Sequence, residues 1–151
     1  MIGAVRNDSL ESLSPDEGIS ITDLDQTDGS ETMANLNDSL SDLMTMDGAV
    51  CAAVVDYNSG MMLGSIGTGV DLELAAAGNT EVVRAKMKTM KALGLNDVID
   101  DILITLGKAY HIIRPSQRLQ GVFVYYVLDS SRANLALARR KVSDVEGKMT
   151  M

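Results

Sequence analysis

Residues 121–129 read GVFVYYVLD, and every position from Val122 to Leu128 is apolar or aromatic. A strand with one face in water alternates apolar and polar side chains, because successive Cβ atoms point to opposite faces. An unbroken run predicts a strand covered on both faces, at the centre of its sheet. The run AVCAAVV at residues 49–55 makes the same demand. Helices have to cover both faces of such a sheet, and the rest of the chain has to supply them.

The flanking segments carry those signals. DYNSG, between AVCAAVVD and MMLGSIG, has the residues a hairpin turn prefers, so this stretch reads as strand, turn, strand. DDILITLGKAYHIIRPS reads as a second hairpin, with Gly107 and Lys108 at the turn and Pro115 blocking continuation of the strand. In NLNDSLSDLMTMDG, Leu36, Leu40, Leu43 and Met44 fall at helical spacing, with Asn35 or Asn37 placed to cap. From Asp71, an expected N-cap, DLELAAAGNTEVVRAKMKTMKALGL puts Leu72, Ala76, Val83, Met87 and Met90 on one face, with Gly94 near the end. This should be the longest helix. SSRANLALARRKVSDVE carries a stripe of Leu135, Ala138, Val142 and Val145 behind a Ser130 or Ser131 cap, with Arg139, Arg140 and Lys141 later in the helix. The order is α-β-β-α-β-β-β-α, an α/β chain of the α+β kind with five largely antiparallel strands and helices on both faces.

Charge and composition narrow the function. A chain of 151 residues, 46% hydrophobic and 23% charged, has room for one core. Its net charge of -8 is unevenly placed: residues 1–32 hold eight carboxylates against Arg6 alone, and the remainder is nearly neutral. An excess of Ser, Asp, Glu, Thr and Gly without sustained periodicity gives that stretch the composition of disorder. The chain therefore divides into an acidic tail at 1–32, a folded domain at 33–147 and a short C-terminal end at 148–151. Met33 sits just before the first amphipathic pattern, and two readings stay open: translation starts there, or the tail is a genuine acidic tether. An acidic chain with no Trp, one Phe and four Tyr lacks both the charge and the stacking platforms that nucleic acid requires. No apolar run approaches the roughly 18 residues of a membrane span, and no signal-peptide pattern opens the chain. Cys51, the lone cysteine, lies in an apolar run and reads as a small buried hydrophobe, which suits a cytoplasmic location.

The segments GAVCAAVVDYNSGMMLGSIGTGVDLELAAA, DDILITLGKAYHIIRP and GVFVYYVLD, in that order, resemble the Roadblock/dynein light-chain family. The resemblance covers residues 34–147, with Gly48, Asp56, Gly60, Gly67 and the YHIIRP segment on the pattern. It implies a profilin-like sheet sandwiched by helices, a homodimer or heterodimer, and no catalysis. It also implies a platform for small Ras-like GTPases or an adaptor on motor complexes.

The residues that could carry chemistry read as scaffold. GSIGTGVDLE has three glycines before a helix, but a Walker loop needs a Lys and a hydroxyl residue after its last glycine, and neither follows. Gly64, Gly67 and Gly69 run in the reverse of the dinucleotide spacing, and Asp71 and Glu73 put carboxylates where a phosphate would sit. The stretch reads as a corner. His111, the only histidine, can be set on paper with Asp129 and Ser130 or Ser131, yet no nucleophile-elbow motif accompanies them, so a strand histidine bonded within the fold is expected. Asp97, Asp100 and Asp101 lack calcium-loop spacing and read as a solvated loop. No catalytic, cofactor or metal residue is assigned.

Two features point to protein contacts. Arg84, Lys88 and Lys91 are spaced to face one way on the long helix, as charge-steering groups for a partner. Ile102, Ile104 and Leu106 alternate with Leu103 and Thr105, so an edge strand is apolar on both faces, a liability that a two-fold dimer joining two sheets removes. Met87, Met90, Leu103 and Thr105 are the expected dimer contacts. The expectation is a non-catalytic dimeric regulator that binds a small Ras-like GTPase or a larger assembly through its long helix. The alternatives are a small-ligand or nucleotide-binding sensor module, which would show heat on binding free nucleotide, and an adaptor whose tail recruits the partner.

Overall fold

The computed structural model describes residues 35–150. The acidic tail and the start at Met33 lie outside the described residues. The elements in chain order are α1 (35–43 as described), β1 (Ala49–Asp56), β2 (Met61–Gly67), α2 (Leu72–Ala92), β3 (Ile102–Thr105), β4 (Ala109–Pro115), β5 (Val122–Asp129) and α3 (Leu135–Lys148). The five strands form one sheet in the order β2-β1-β5-β4-β3, and every neighbouring pair is antiparallel. This is the α+β architecture and element order that the sequence predicts.

β5 lies at the middle of the sheet, and its apolar run resolves into two alternating cores. Val122, Val124, Tyr126 and Leu128 pack with Leu36, Leu40 and Leu43 of α1 and with Ala138, Val142 and Val145 of α3. Phe123, Tyr125 and Val127 face the other way, against Ala76 and Val83 of α2. β1 divides likewise, Ala52 and Val54 to the first layer and Cys51, Ala53 and Val55 to the second. Burying a large apolar side chain contributes about 1.5–3 kcal/mol. A two-layer arrangement would forfeit that gain along half of each strand, which is why both faces carry helices.

Two expected helix caps differ. Asn35 and Asn37 both lie inside α1, where Asn37 is exposed and Asn35 Oδ1 accepts from the Thr150 N–H at 3.0 Å. Asn35 thus ties α1 to the chain's C-terminal stretch. α3 is capped by Asn134, whose side chain accepts from the Leu137 N–H at 3.0 Å, and by neither Ser130 nor Ser131. The Ser131 N–H and hydroxyl both donate back to Asp129 Oδ1, at 2.9 and 2.7 Å, so the chain turns once more before the helix begins. At the other end α3 runs to Lys148, and Met149, outside the expected domain limit of 147, is fully buried in the α1 and α3 layer. The Tyr126 hydroxyl donates to the Leu43 carbonyl at the end of α1. Its burial, and next the charge of Asp42, push the phenol pKa up, so it remains a donor.

Candidate partner-binding site

The corner that aims α2 is built from glycine. Gly64 lies in β2 on the α1 side, where an added Cβ would stand 3.1 Å from Leu36 and 3.2 Å from Leu40. Gly67 ends β2 at φ +86°. Asp71 then caps α2, accepting from the Leu74 N–H at 3.1 Å, with Glu73 in the first turn. The carboxylates occupy the helix N-terminus, so it offers no phosphate cradle. At the far end Gly94 adopts φ +73°, its N–H donates to the Lys91 carbonyl, and the Leu95 N–H donates to the Met90 carbonyl. These two bonds are a Schellman closure, which uses the Gly94 that the sequence places there.

α2 is 21 residues long, yet only Ala76, Thr80 and Val83 are buried. Thr80 satisfies its hydroxyl internally, on the Ala76 carbonyl at 2.7 Å. At 100° per residue, Arg84, Lys88 and Lys91 lie roughly 50–115° around the helix from the buried line of Ala76, Thr80 and Val83, on the flank of α2. All three are exposed, and no ion pair involves them among the described residues. Arg84 and Lys88 are also like charges at i and i+4, a spacing that costs an isolated helix a few tenths of a kcal/mol.

Met87 and Met90 are half-buried on the sheet side of α2, Met87 in the layer that includes Ile102 and Ile104. Among the described residues β3 is an edge strand, paired only with β4. The Leu106 N–H donates to the Ala109 carbonyl at 2.8 Å, and an antiparallel ladder bonds alternate residues. The backbone groups of Leu103 and Thr105 therefore point away from β4, along the open edge. The Leu103 side chain packs toward the α1 and α3 layer, and Thr105 is exposed. The four expected dimer residues accordingly form two places, the α2 underside and the sheet edge. The basic stripe runs along the flank of α2.

His111 is bonded within the fold. Its Nδ1 shares a 2.9 Å hydrogen bond with the Tyr125 hydroxyl, and the rings meet edge to face at 5.5 Å. Asp129 and Ser131 bond each other at the end of β5, so the triad conceivable on paper does not assemble. Burial lowers the His111 pKa. The folded state then favours neutral imidazole, and the unfolded chain binds more protons below its ordinary value of about 6.5. Stability is full above that value and falls as pH drops through it toward the folded pKa. Urea midpoints at pH 7.5 and 5 should differ less in His111→Gln than in the parent chain. An equal difference in both would remove His111 as the cause.

The acidic loop is dispersed. Asp101 makes a two-pronged pair with Arg139, at 2.8 and 3.0 Å, the Asp100 carbonyl accepts from Arg114 Nη1, and Asp97 accepts from the Val98 N–H. Among the described residues no three His, Cys, Asp or Glu side chains gather to hold a metal. Cys51 is fully buried and free, and burial raises its thiol pKa.

Two features were beyond sequence reasoning. Glu146, in the last turn of α3, is buried with Arg114 Nε at 3.1 Å and Ser116 Oγ at 2.9 Å. Its only signal in the sequence is a carboxylate where a helix terminus disfavours one. The second is a cavity of about 490 Å³ at the C-terminal end of α2, lined by Met87, Met90, Lys91, Leu95, Val98 and Ile99 among others. Three separate loops and α2 build it, so no local pattern announces it.

A five-stranded antiparallel sheet in the order β2-β1-β5-β4-β3, with one long helix on one face and two on the other, defines the chain as having the Roadblock/LC7-type fold. Among solved structures it is similar to MglB of Myxococcus xanthus, at TM-score 0.69 and 19% identity over 78% of this chain and 86% of that one. The gliding protein MglB of Thermus thermophilus superposes at TM-score 0.64 and 15% identity, covering 77% and 88%. A Roadblock/LC7 domain from Streptomyces avermitilis gives TM-score 0.63 and 11% identity, covering 72% and 89%. No protein-family model and no curated protein matches the sequence. No helix of the described residues is long and apolar enough to cross a membrane.

Proposed function

We propose that the chain is a non-catalytic, dimeric regulator of the Roadblock family that binds a small Ras-like GTPase, or an assembly containing one, through α2. The observation that carries this reading is the exposed α2 face, on which Arg84, Lys88 and Lys91 have no acidic partner among the described residues. Solvated cations on a helix steer an acidic partner at little cost in stability. The fold supports the family assignment, and the resemblance of the sequence supplies the partner class. Such a platform acts by differential affinity: preferring one nucleotide state of the GTPase, it shifts that state's population or positions switch residues for hydrolysis.

Self-association uses the open β3 edge, where the outward backbone groups of Leu103 and Thr105 offer ladder bonds to a second copy. Edge pairing through these backbone groups uses none of the three basic side chains. Sedimentation should give a dimer at micromolar concentration, and a monomer there removes this part of the reading.

The functional test measures GTP hydrolysis and nucleotide release by a small GTPase of the same genome, with and without the chain. Lys88→Glu should weaken association with that GTPase by about tenfold or more while moving stability by no more than about 0.5 kcal/mol. That split separates contact from folding. No association, and no effect on either rate, would overturn the regulatory reading.

A further inference from the structure

The cavity at the end of α2 has the lining of an anchor pocket. Met87 and Met90 come from α2, Leu95, Asp97, Val98 and Ile99 from the loop that follows it, Tyr57 from the β1–β2 turn, and Pro115 to Gln117 with Gln120 from the β4–β5 connection. Its volume lies in the range of sites that receive a bound group. Its rim, however, is open: Leu95 is 53% and Val98 62% exposed, and Leu93 beside them is 67% exposed. Elsewhere among the described residues the exposed large apolar side chains are spread over β2, α2, the β3–β4 turn and α3. Here three fall within six residues, around a hole.

A Schellman closure usually seals itself by contact of its two flanking apolar residues. Met90 and Leu95 hold those positions and both line the cavity, yet Leu95 stays half in water. The loop is fixed at its far end by Asp100 and Asp101, on Arg114 and Arg139, so the apolar stretch is presented from an anchored base. Methionines on the opposite wall suit an occupant of adjustable shape.

Charge selects among occupants. Lys91 lines the cavity, with Lys88 and Arg84 continuing the same stripe up the helix, against one lining carboxylate, Asp97. An enclosed small-molecule site buries most of its ligand, whereas this one is rimmed by exposed apolar side chains and a line of cations running away from it. We propose that the cavity is the anchor pocket for an acidic amphipathic peptide segment of a protein partner. A large apolar side chain enters between Met87, Met90 and Val98, and carboxylates one or two residues away meet Lys91 and Lys88. The proposal rests on the α2 reading for where a partner sits, and it requires no GTPase.

A phage-displayed library of random dodecapeptides, selected on the immobilised full chain, tests it. The expected winners pair large apolar residues with Asp or Glu. Synthetic copies should lose affinity by about tenfold or more on Leu95→Glu and on Lys91→Glu, with unchanged thermal midpoints. Leu137→Glu, an exposed leucine of α3 on the opposite face of the sheet, should bind as the parent does. No enrichment, winners without acidic residues, or winners indifferent to Leu95→Glu would overturn the proposal. So would displacement of the peptides by octanoate at equal concentration, which would make this a small-carboxylate site. Peptides that bind as described while a GTPase does not would leave the pocket standing and remove the GTPase reading. A GTPase bound through Lys88 while the library yields nothing would do the reverse.

Discussion

Gly67→Ala is expected to cost about 4 kcal/mol or more and to leave most of the chain unfolded or insoluble. The added Cβ would stand 2.4 Å from the Val50 carbonyl oxygen and 2.8 Å from Cys51 Cα, at a φ of +86° that L side chains avoid. Both neighbours are backbone of the adjacent strand, so no side-chain rotation relieves the contact. β1 would have to part from β2 at the corner that aims α2. Gly78→Ala is the matched control: within α2 an added Cβ there meets nothing within 4 Å. That substitution should raise stability by about 0.5–1 kcal/mol through helix propensity. Urea denaturation followed by far-UV circular dichroism measures both. A parental midpoint for Gly67→Ala would show that the stretch is not the rigid corner described, and would reopen its reading as a loop built for a ligand.

Glu146→Ala should lower stability by about 3 kcal/mol. The carboxylate is 4% exposed and Arg114 14%, so water screens the pair little, and Ser116 Oγ completes the site. Removal leaves a guanidinium with only the Asp100 carbonyl as a close acceptor among the described residues, and a Ser116 hydroxyl that still accepts from the Leu119 N–H but has lost the acceptor for its own proton. Because the cost is mainly that of stranded partners, replacing the pair together, by Arg114→Met with Glu146→Leu, should recover most of the loss. A double variant as unstable as Glu146→Ala would show that the network holds the fold by geometry and not by charge balance. Arg114 belongs to the YHIIRP segment, and its bonds to Glu146 and Asp100 fasten β4 to α3 and to the loop after α2. The same change should therefore loosen the loop that carries Leu95 and Val98.

Much of the fold was legible in single residues. The apolar run of β5 required a covered central strand, Asp71 and Gly94 marked the two ends of α2, and Gly107 and Lys108 marked the second hairpin. Each of these signals is local, a matter of which backbone angles and which neighbours along the chain a residue prefers. The misplaced caps are local too, but there a competitor won. Asn35 bonds Thr150 across 115 positions, and Ser131 bonds Asp129 within a turn. Of the candidate site, the basic stripe and the edge strand could be read from spacing. The side of α2 on which the stripe lies follows from the same spacing, because the apolar face that includes Ala76 and Val83 is the one that is buried.

By itself the sequence determined the elements, their order, the need for helices on both faces and the charge on α2, since periodicity and turn chemistry act within a few residues. Only the tertiary structure decided that Glu146 lies buried against Arg114 and that four distant segments close around the cavity at the end of α2. Those are long-range packing outcomes. No residue carries a mark of them until the sheet has set which segments meet.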